Sequence, residues 1–213
     1  MFSLLILACS STNPTETLFA VGDSFLDFYA EDKQSIPHVA GETLGLNVKN
    51  NSISGALFTG EDGISTQFED AEWPWVLING GGNDANEICN CEMSCVADVL
   101  TEIASSDGSS GELVSLVDSA IENGSQVAIA LYMPVHPEAG EDLARCGPAL
   151  EVMTSRYQNI AASRPEAILI KASDIISVED TPEAYHEDKI HPSIEGCRMI
   201  GEYVAQMMKH LAP

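Results

Sequence analysis

Short runs rich in apolar and β-branched residues alternate along the chain with longer stretches whose apolar positions recur every three or four residues. The short runs fall at 17–22, 48–52, 75–79, 127–132 and 167–172. The third and fourth, Trp-Val-Leu-Ile-Asn and Val-Ala-Ile-Ala-Leu-Tyr, show no polar alternation, as parallel strands buried on both faces require. Helical periodicity predicts helices near 35–45, 64–71, 94–105, 111–123, 141–163 and 193–210. In the last, Ile194, Cys197, Ile200, Gly201, Val204 and Met208 fall on one stripe. Strands alternating with helices predict a doubly wound parallel sheet covered on both faces. Such sheets carry their sites at the carboxyl ends of the strands, so the chemistry is expected just after each short run.

Composition narrows the partners. The 213 residues fit one domain (17–213) behind a short leader and polar linker (1–16), with no internal repeat. A hydrophobic content of 45% suffices for a buried core, yet no apolar run approaches the ~20 residues of a membrane span. Thirty-three acidic residues against nine basic ones give a net charge of −24. A field of that sign repels nucleic acid and anionic lipid surfaces. The acids are scattered and read as a solvated surface. The first residues, Met-Phe-Ser-Leu-Leu-Ile-Leu-Ala-Cys, are similar to the end of a bacterial lipoprotein signal, with Cys9 as the lipidation candidate. They lack basic residues and are shorter than a usual export signal. The expectation is an exported protein, periplasmic or lipid-anchored at Cys9, with a cytoplasmic protein as the alternative. A monomer is expected.

Four segments carry candidate chemistry. After the first run stands Gly22-Asp23-Ser24-Phe25. Gly22 permits a tight turn, and Ser24 is either a nucleophile or a helix cap. After the second run, Gly55 is either an ordinary turn glycine or a bare backbone N–H for an anion. After the third comes Gly80-Gly81-Gly82-Asn83-Asp84. Asn83 offers the neutral N–H of an oxyanion hole, or merely tolerates a left-handed turn. No Lys-Ser/Thr follows, so the loop does not read as a nucleotide cradle. Before the last helix, Asp188 and His191 stand three residues apart, close enough to meet on one turn. The carboxylate can then hold one imidazole nitrogen and leave the other free to accept a serine proton. Pro192 keeps His191 out of helical geometry.

Taken in order, Gly22-Asp23-Ser24, Gly55, Gly81-x-Asn83-Asp84 and Asp188-x-x-His191 resemble the four blocks of the SGNH hydrolase superfamily, the GDSL-like lipases and esterases, over about residues 17–210. The resemblance implies a flavodoxin-like three-layer α/β/α sandwich with a five-stranded parallel sheet. It implies Ser24 as nucleophile, His191 as general base and Asp188 as its orienting carboxylate. Oxyanion donors would come from the Ser24 and Gly55 backbone N–H groups and the Asn83 side chain. No cofactor or metal is implied. The substrate would be a small-molecule or surface-presented ester: a short acyl ester, lysophospholipid, thioester or acetylated glycan. The alternative is a catalytically silent domain that binds a glycan or protein partner at the same cleft, against which the intact Ser24, Asn83, Asp188 and His191 argue. Phe25 replaces the leucine usual in the first block and is expected to reshape the pocket floor.

Gly82, Asp84, His136 and Tyr185 are expected at the pocket rim as substrate-binding residues, with His186 beside the Asp188 turn. Cys89, Cys91, Cys95 and Cys146 fit no zinc module and are expected to form disulfides bracing the mouth of the site, in a pairing the sequence leaves open. Five cysteines beyond Cys9 suit an oxidising compartment. Cys197 lies on the apolar stripe of the last helix and reads as a small buried hydrophobe.

Overall fold

The computed structural model describes residues 17–211, which leaves the leader and its Cys9 outside the described residues. Five strands form one sheet: β1 (Thr17–Val21), β2 (Asn47–Asn50), β3 (Trp75–Ile78), β4 (Gln126–Leu131) and β5 (Ala167–Lys171). The spatial order is β2-β1-β3-β4-β5, and every pairing is parallel. The strand order reverses at β1, and the loops after β1 and β3 flank the switch point at which such sheets bind ligands.

The helices are α1 (Ser24–Asp27), α2 (Ile36–Leu44), α3 (Met93–Ile103), α4 (Glu112–Glu122), α5 (Glu141–Ala144), α6 (Gly147–Ala162) and α7 (Ile194–Leu211). Alternation along each strand divides the core in two. Phe19, Val21, Val76, Ile78, Val127 and Ile129 face α3, α4 and α6, whereas Leu18, Ala20, Leu77, Ala128 and Ala130 face α2 and α7. The three central strands are buried almost throughout, which explains their unbroken hydrophobic runs. Edge strand β2 is partly exposed and correspondingly polar. The three-layer α/β/α sandwich with five parallel strands is therefore the observed fold.

Three expectations about helices change. The stretch 64–71 forms only a short 3-10 turn at Ile64–Gln67. The helix expected over 141–163 is broken into α5 and α6 around Arg145 and Cys146. A π-helical turn, Asp84–Ile88, follows the glycine loop where periodicity predicts no helix. Turns of that kind are frequent at functional sites.

Candidate active site

Helix α1 is only four residues long, yet it organises most of the site. Gly22 precedes it because nothing larger fits: a Cβ there would lie 2.9 Å from the Asn79 carbonyl oxygen. Its φ is not positive, so close approach to the loop after β3, and not the expected tight turn, requires the glycine. Gln67 holds both backbone polar groups of this residue, accepting from the Gly22 N–H (2.7 Å) and donating to the Gly22 carbonyl (3.0 Å). Asp23 caps the helix, its carboxylate accepting the Phe25 N–H at 2.9 Å. The Leu26 and Asp27 N–H groups reach the Asp23 carbonyl. Among the described residues this leaves the Ser24 N–H without an acceptor.

The other end of α1 holds the partners. The Asp27 carboxylate accepts the Ser54 backbone N–H at 3.1 Å and so ties down the turn that presents Gly55. The Phe28 ring stacks face to face on His191, with centroids 4.3 Å apart and planes 3° from parallel. One turn of helix therefore bears Ser24 at its start and the surface that seats His191 at its end.

His191 Nδ1 lies 2.8 Å from Asp188 Oδ2. Asp188 Oδ1 accepts the backbone N–H groups of Ile190 (2.9 Å) and His191 (3.0 Å), so the turn 188–191 closes on its own carboxylate. Burial acts to raise the Asp188 pKa, but these N–H groups and the His191 ring outweigh it and hold the carboxyl well below the usual range. His186 shares the same oxygen, its Nδ1 3.1 Å from Asp188 Oδ2. Two imidazoles thus face one carboxylate, and only that of His191 lines the cavity.

That cavity, of about 110 Å³, is lined by Ser24, Asn83 and His191 together with apolar Val135, Ala139, Leu143 and Leu150. The structure brings Ser24 and His191 to one cleft from positions 167 residues apart in sequence (191 − 24). Asn83 spends one amide N–H on the Ala56 carbonyl (3.0 Å) and keeps a second, since an amide nitrogen carries two. Gly55 has φ +81° and open space around it, but it lies on the exposed turn and not in the cavity lining.

The rim residues divide. His136 lines the cavity, its Nδ1 accepting the Glu138 N–H at 3.1 Å. Tyr185 stands behind it: ring centroids are 5.0 Å apart, and the Tyr185 hydroxyl donates to the Pro134 carbonyl at 2.9 Å. Tyr185 is thus a wall support and does not line the cavity. Asp84 is fully buried, and its carboxylate accepts the Phe58 and Thr59 N–H groups, both at 3.0 Å, and the Thr59 hydroxyl at 2.8 Å. It does not line the cavity and instead pins the 58–59 loop, correcting the expectation of a rim residue. Gly82 lines the cavity, but its N–H is already spent on the Tyr132 hydroxyl at 3.0 Å.

Tyr132 and Asp23 are the residues that sequence reading missed as a pair. The Tyr132 hydroxyl donates to Asp23 Oδ2. Burial pushes the Asp23 carboxyl up to about 6, against the lowering effect of the Tyr132 and Phe25 hydrogen bonds. Burial and the adjacent Asp23 charge raise Tyr132 well above its ordinary value. Nothing in the sequence links two residues 109 positions apart, except that each follows closely on the end of a strand.

Of two disulfides, Cys89–Cys95 ties the end of the π-helical turn to the start of α3, and Cys91–Cys146 ties the same loop to the break between α5 and α6. Cys146 lines the cavity, so the second bridge reaches the site itself. Cys197 is free and buried, as its place on the stripe predicts. Disulfides of this kind point to an oxidising compartment outside the cytosol. Among the described residues no helix is long and apolar enough to cross a membrane, and no cluster of side chains could hold a metal.

A family model of the GDSL-like lipase/acylhydrolases matches residues 20–199. The chain belongs to that family and is an ester-bond hydrolase of the SGNH type. Solved structures agree on the fold. The psychrotrophic esterase EstA from a Pseudoalteromonas species is 17% identical, with a TM-score of 0.62 over 92% of this chain and 97% of that one. A carbohydrate acetylesterase family member from Sinorhizobium meliloti is 15% identical, with a TM-score of 0.63 over 92% and 99%. A family 3 carbohydrate esterase from Clostridium thermocellum is 16% identical, with a TM-score of 0.59 over 92% and 97%. No curated protein matches the chain.

Proposed function

We propose that the chain is an exported serine esterase that cleaves short-chain acyl esters through an acyl-enzyme. The observation that carries this reading is the shared cavity of Ser24, Asn83 and His191, with His191 Nδ1 held 2.8 Å from Asp188. Asp188 fixes the imidazole so that Nε2 takes the Ser24 proton as Oγ attacks the ester carbonyl. The tetrahedral oxygen receives the Ser24 N–H and the free Asn83 N–H, both at the cavity, whereas Gly55 stands on the turn outside its lining. His191 then returns the proton to the leaving alkoxide. Water, activated by the same nitrogen, releases the acid and restores Ser24. Stacking on Phe28 keeps the ring in its plane through both proton transfers and places a π-face beneath the transient imidazolium.

The acyl preference follows from volume. Pockets for drug-sized ligands hold about 300–1,000 Å³, well above this cavity. Apolar Val135, Ala139, Leu143 and Leu150 suit the methyl or short alkyl end of an acyl group. Acetyl esters fit best, and the likeness to carbohydrate esterases adds acetylated glycans to the substrates worth trying. The two disulfides support export, which a lipid anchor at Cys9 would complete.

The test is labelling with a fluorophosphonate combined with a p-nitrophenyl ester series. The expected result is one label per chain at Ser24, rates falling beyond butyrate, and loss of at least about 10³-fold in kcat for Ser24→Ala. A Ser24→Ala protein that still turns over p-nitrophenyl acetate, or a label on another residue, removes the assignment.

A further inference from the structure

The loops after β1, β3 and β4 converge on one phenolic oxygen. The Tyr132 hydroxyl, just past β4, donates to Asp23 just past β1 and accepts the N–H of Gly82 just past β3. Asp23 is 1% exposed and immediately precedes Ser24; Gly82 immediately precedes Asn83. Space is made for the phenol on purpose, since a Cβ on Gly82 would lie 2.8 Å from Tyr132 Cζ. Phe25, the departure from the family's leucine, packs its ring against Tyr132 at 5.4 Å and 59°. Phe25 and Tyr132 also line the cavity.

We propose that Tyr132 is a positioning residue whose hydroxyl, clamped between Asp23 and Gly82 and steadied by Phe25, sets the spacing between the Ser24 turn and the Asn83 loop. This rests on the serine-esterase reading, since only that reading gives the spacing a catalytic meaning. Nucleophile and oxyanion donors must be held within about 0.5 Å of their working positions. The donors sit on separate loops of separate strands, and the backbone hydrogen bonds of the sheet end before them. One oxygen that both donates and accepts makes the two loops a single unit. A phenylalanine at 132 would leave the ring in place and remove that link alone.

The experiment measures Tyr132→Phe, Asp23→Asn and the double variant. Folded, reactive sites are counted by end-point fluorophosphonate labelling, and kcat is expressed per labelled site. The expected result for Tyr132→Phe is a normal end-point label, kcat per site lower by about 10- to 100-fold, and KM within about threefold. Asp23→Asn should show the same split. The double variant should lose no more than the worse single one, because both substitutions break one linkage. A role confined to stability would lower the number of labelled sites and leave kcat per site unchanged, which overturns the proposal. Losses that multiply in the double variant overturn it too. Should Tyr132→Phe give too little folded protein, Asp23→Asn alone carries the comparison of kcat with KM. Absence of label on the wild-type chain would defeat the esterase reading itself, whereas a labelled wild type with unaltered turnover in the variants defeats only the clamp.

Discussion

Replacing both Cys91 and Cys146 with alanine opens the longer of the two covalent loops while leaving Cys89–Cys95 closed. The two bridges span 55 and 6 residues respectively. A crosslink stabilises chiefly by restricting the unfolded chain, and in the chain-entropy model the effect grows as (3/2)R ln n. At 25 °C that gives about 4 kcal/mol for Cys91–Cys146 and about 2 kcal/mol for Cys89–Cys95. The difference, about 2 kcal/mol, depends only on the ratio of loop lengths and is the firmer number. Alanine is the right replacement because Cys91 and Cys146 are only 4% and 6% exposed, and a serine would bury an unpaired hydroxyl. Urea unfolding of the two double-alanine variants without reductant supplies both values, provided each transition stays two-state. Equal losses, or a larger loss for the 89–95 pair, would refute the entropic argument. Such an outcome would mean that native contacts around the bridges dominate. Activity adds a second readout. Cys146 lines the cavity at the break between α5 and α6, so opening its bridge should raise KM for p-nitrophenyl acetate, while opening the short bridge should not.

Further expectations follow from the same geometry. Alkylation of the denatured, unreduced protein followed by peptide mapping should label Cys197 and none of Cys89, Cys91, Cys95 and Cys146, which should react only after reduction. Asp84→Ala removes the acceptor for two backbone N–H groups and one hydroxyl in a fully buried setting; stability should fall by about 2–4 kcal/mol, with a smaller effect on kcat per labelled site. The Asp23 carboxyl, raised by burial to about 6 from an ordinary 3.8, makes the folded state hold a proton that the unfolded state has lost. Its contribution to stability is complete below about pH 4 and declines as pH rises towards 6, by about 3 kcal/mol in all. Urea midpoints of wild type and Asp23→Asn across pH 4–7 should therefore diverge, and parallel curves would contradict the buried-carboxylate account.

Much of this was legible in the sequence because it is written locally. The unbroken apolar runs of β3 and β4 announced buried parallel strands, and the stripe of α7 announced its face, since burial acts on every second or every third to fourth residue. The pairing of Asp188 with His191 was equally local, being one turn closed by its own backbone. The alternation of elements placed candidate chemistry at the carboxyl ends of the strands, but Ser24 and Asn83 each read equally well as a cap or turn residue until the four blocks were taken together as a family resemblance. One break was read past: the apolar periodicity running through 141–163 hid the interruption at Cys146, although Gly147-Pro148 follows it and a proline in the first turn starts a new helix.

What only the tertiary structure decided is which groups spend their hydrogen bonds on one another. Sequence placed Asp84 and Gly82 at the rim as open donors and acceptors; folding turned the Asp84 carboxylate inward and gave the Gly82 N–H to Tyr132. It also seated His191 on Phe28 and chose the disulfide partners. A residue's type and its neighbours along the chain fix what it is able to bind. Only packing fixes what stands within 3 Å of it, because that depends on strands brought side by side from distant parts of the chain.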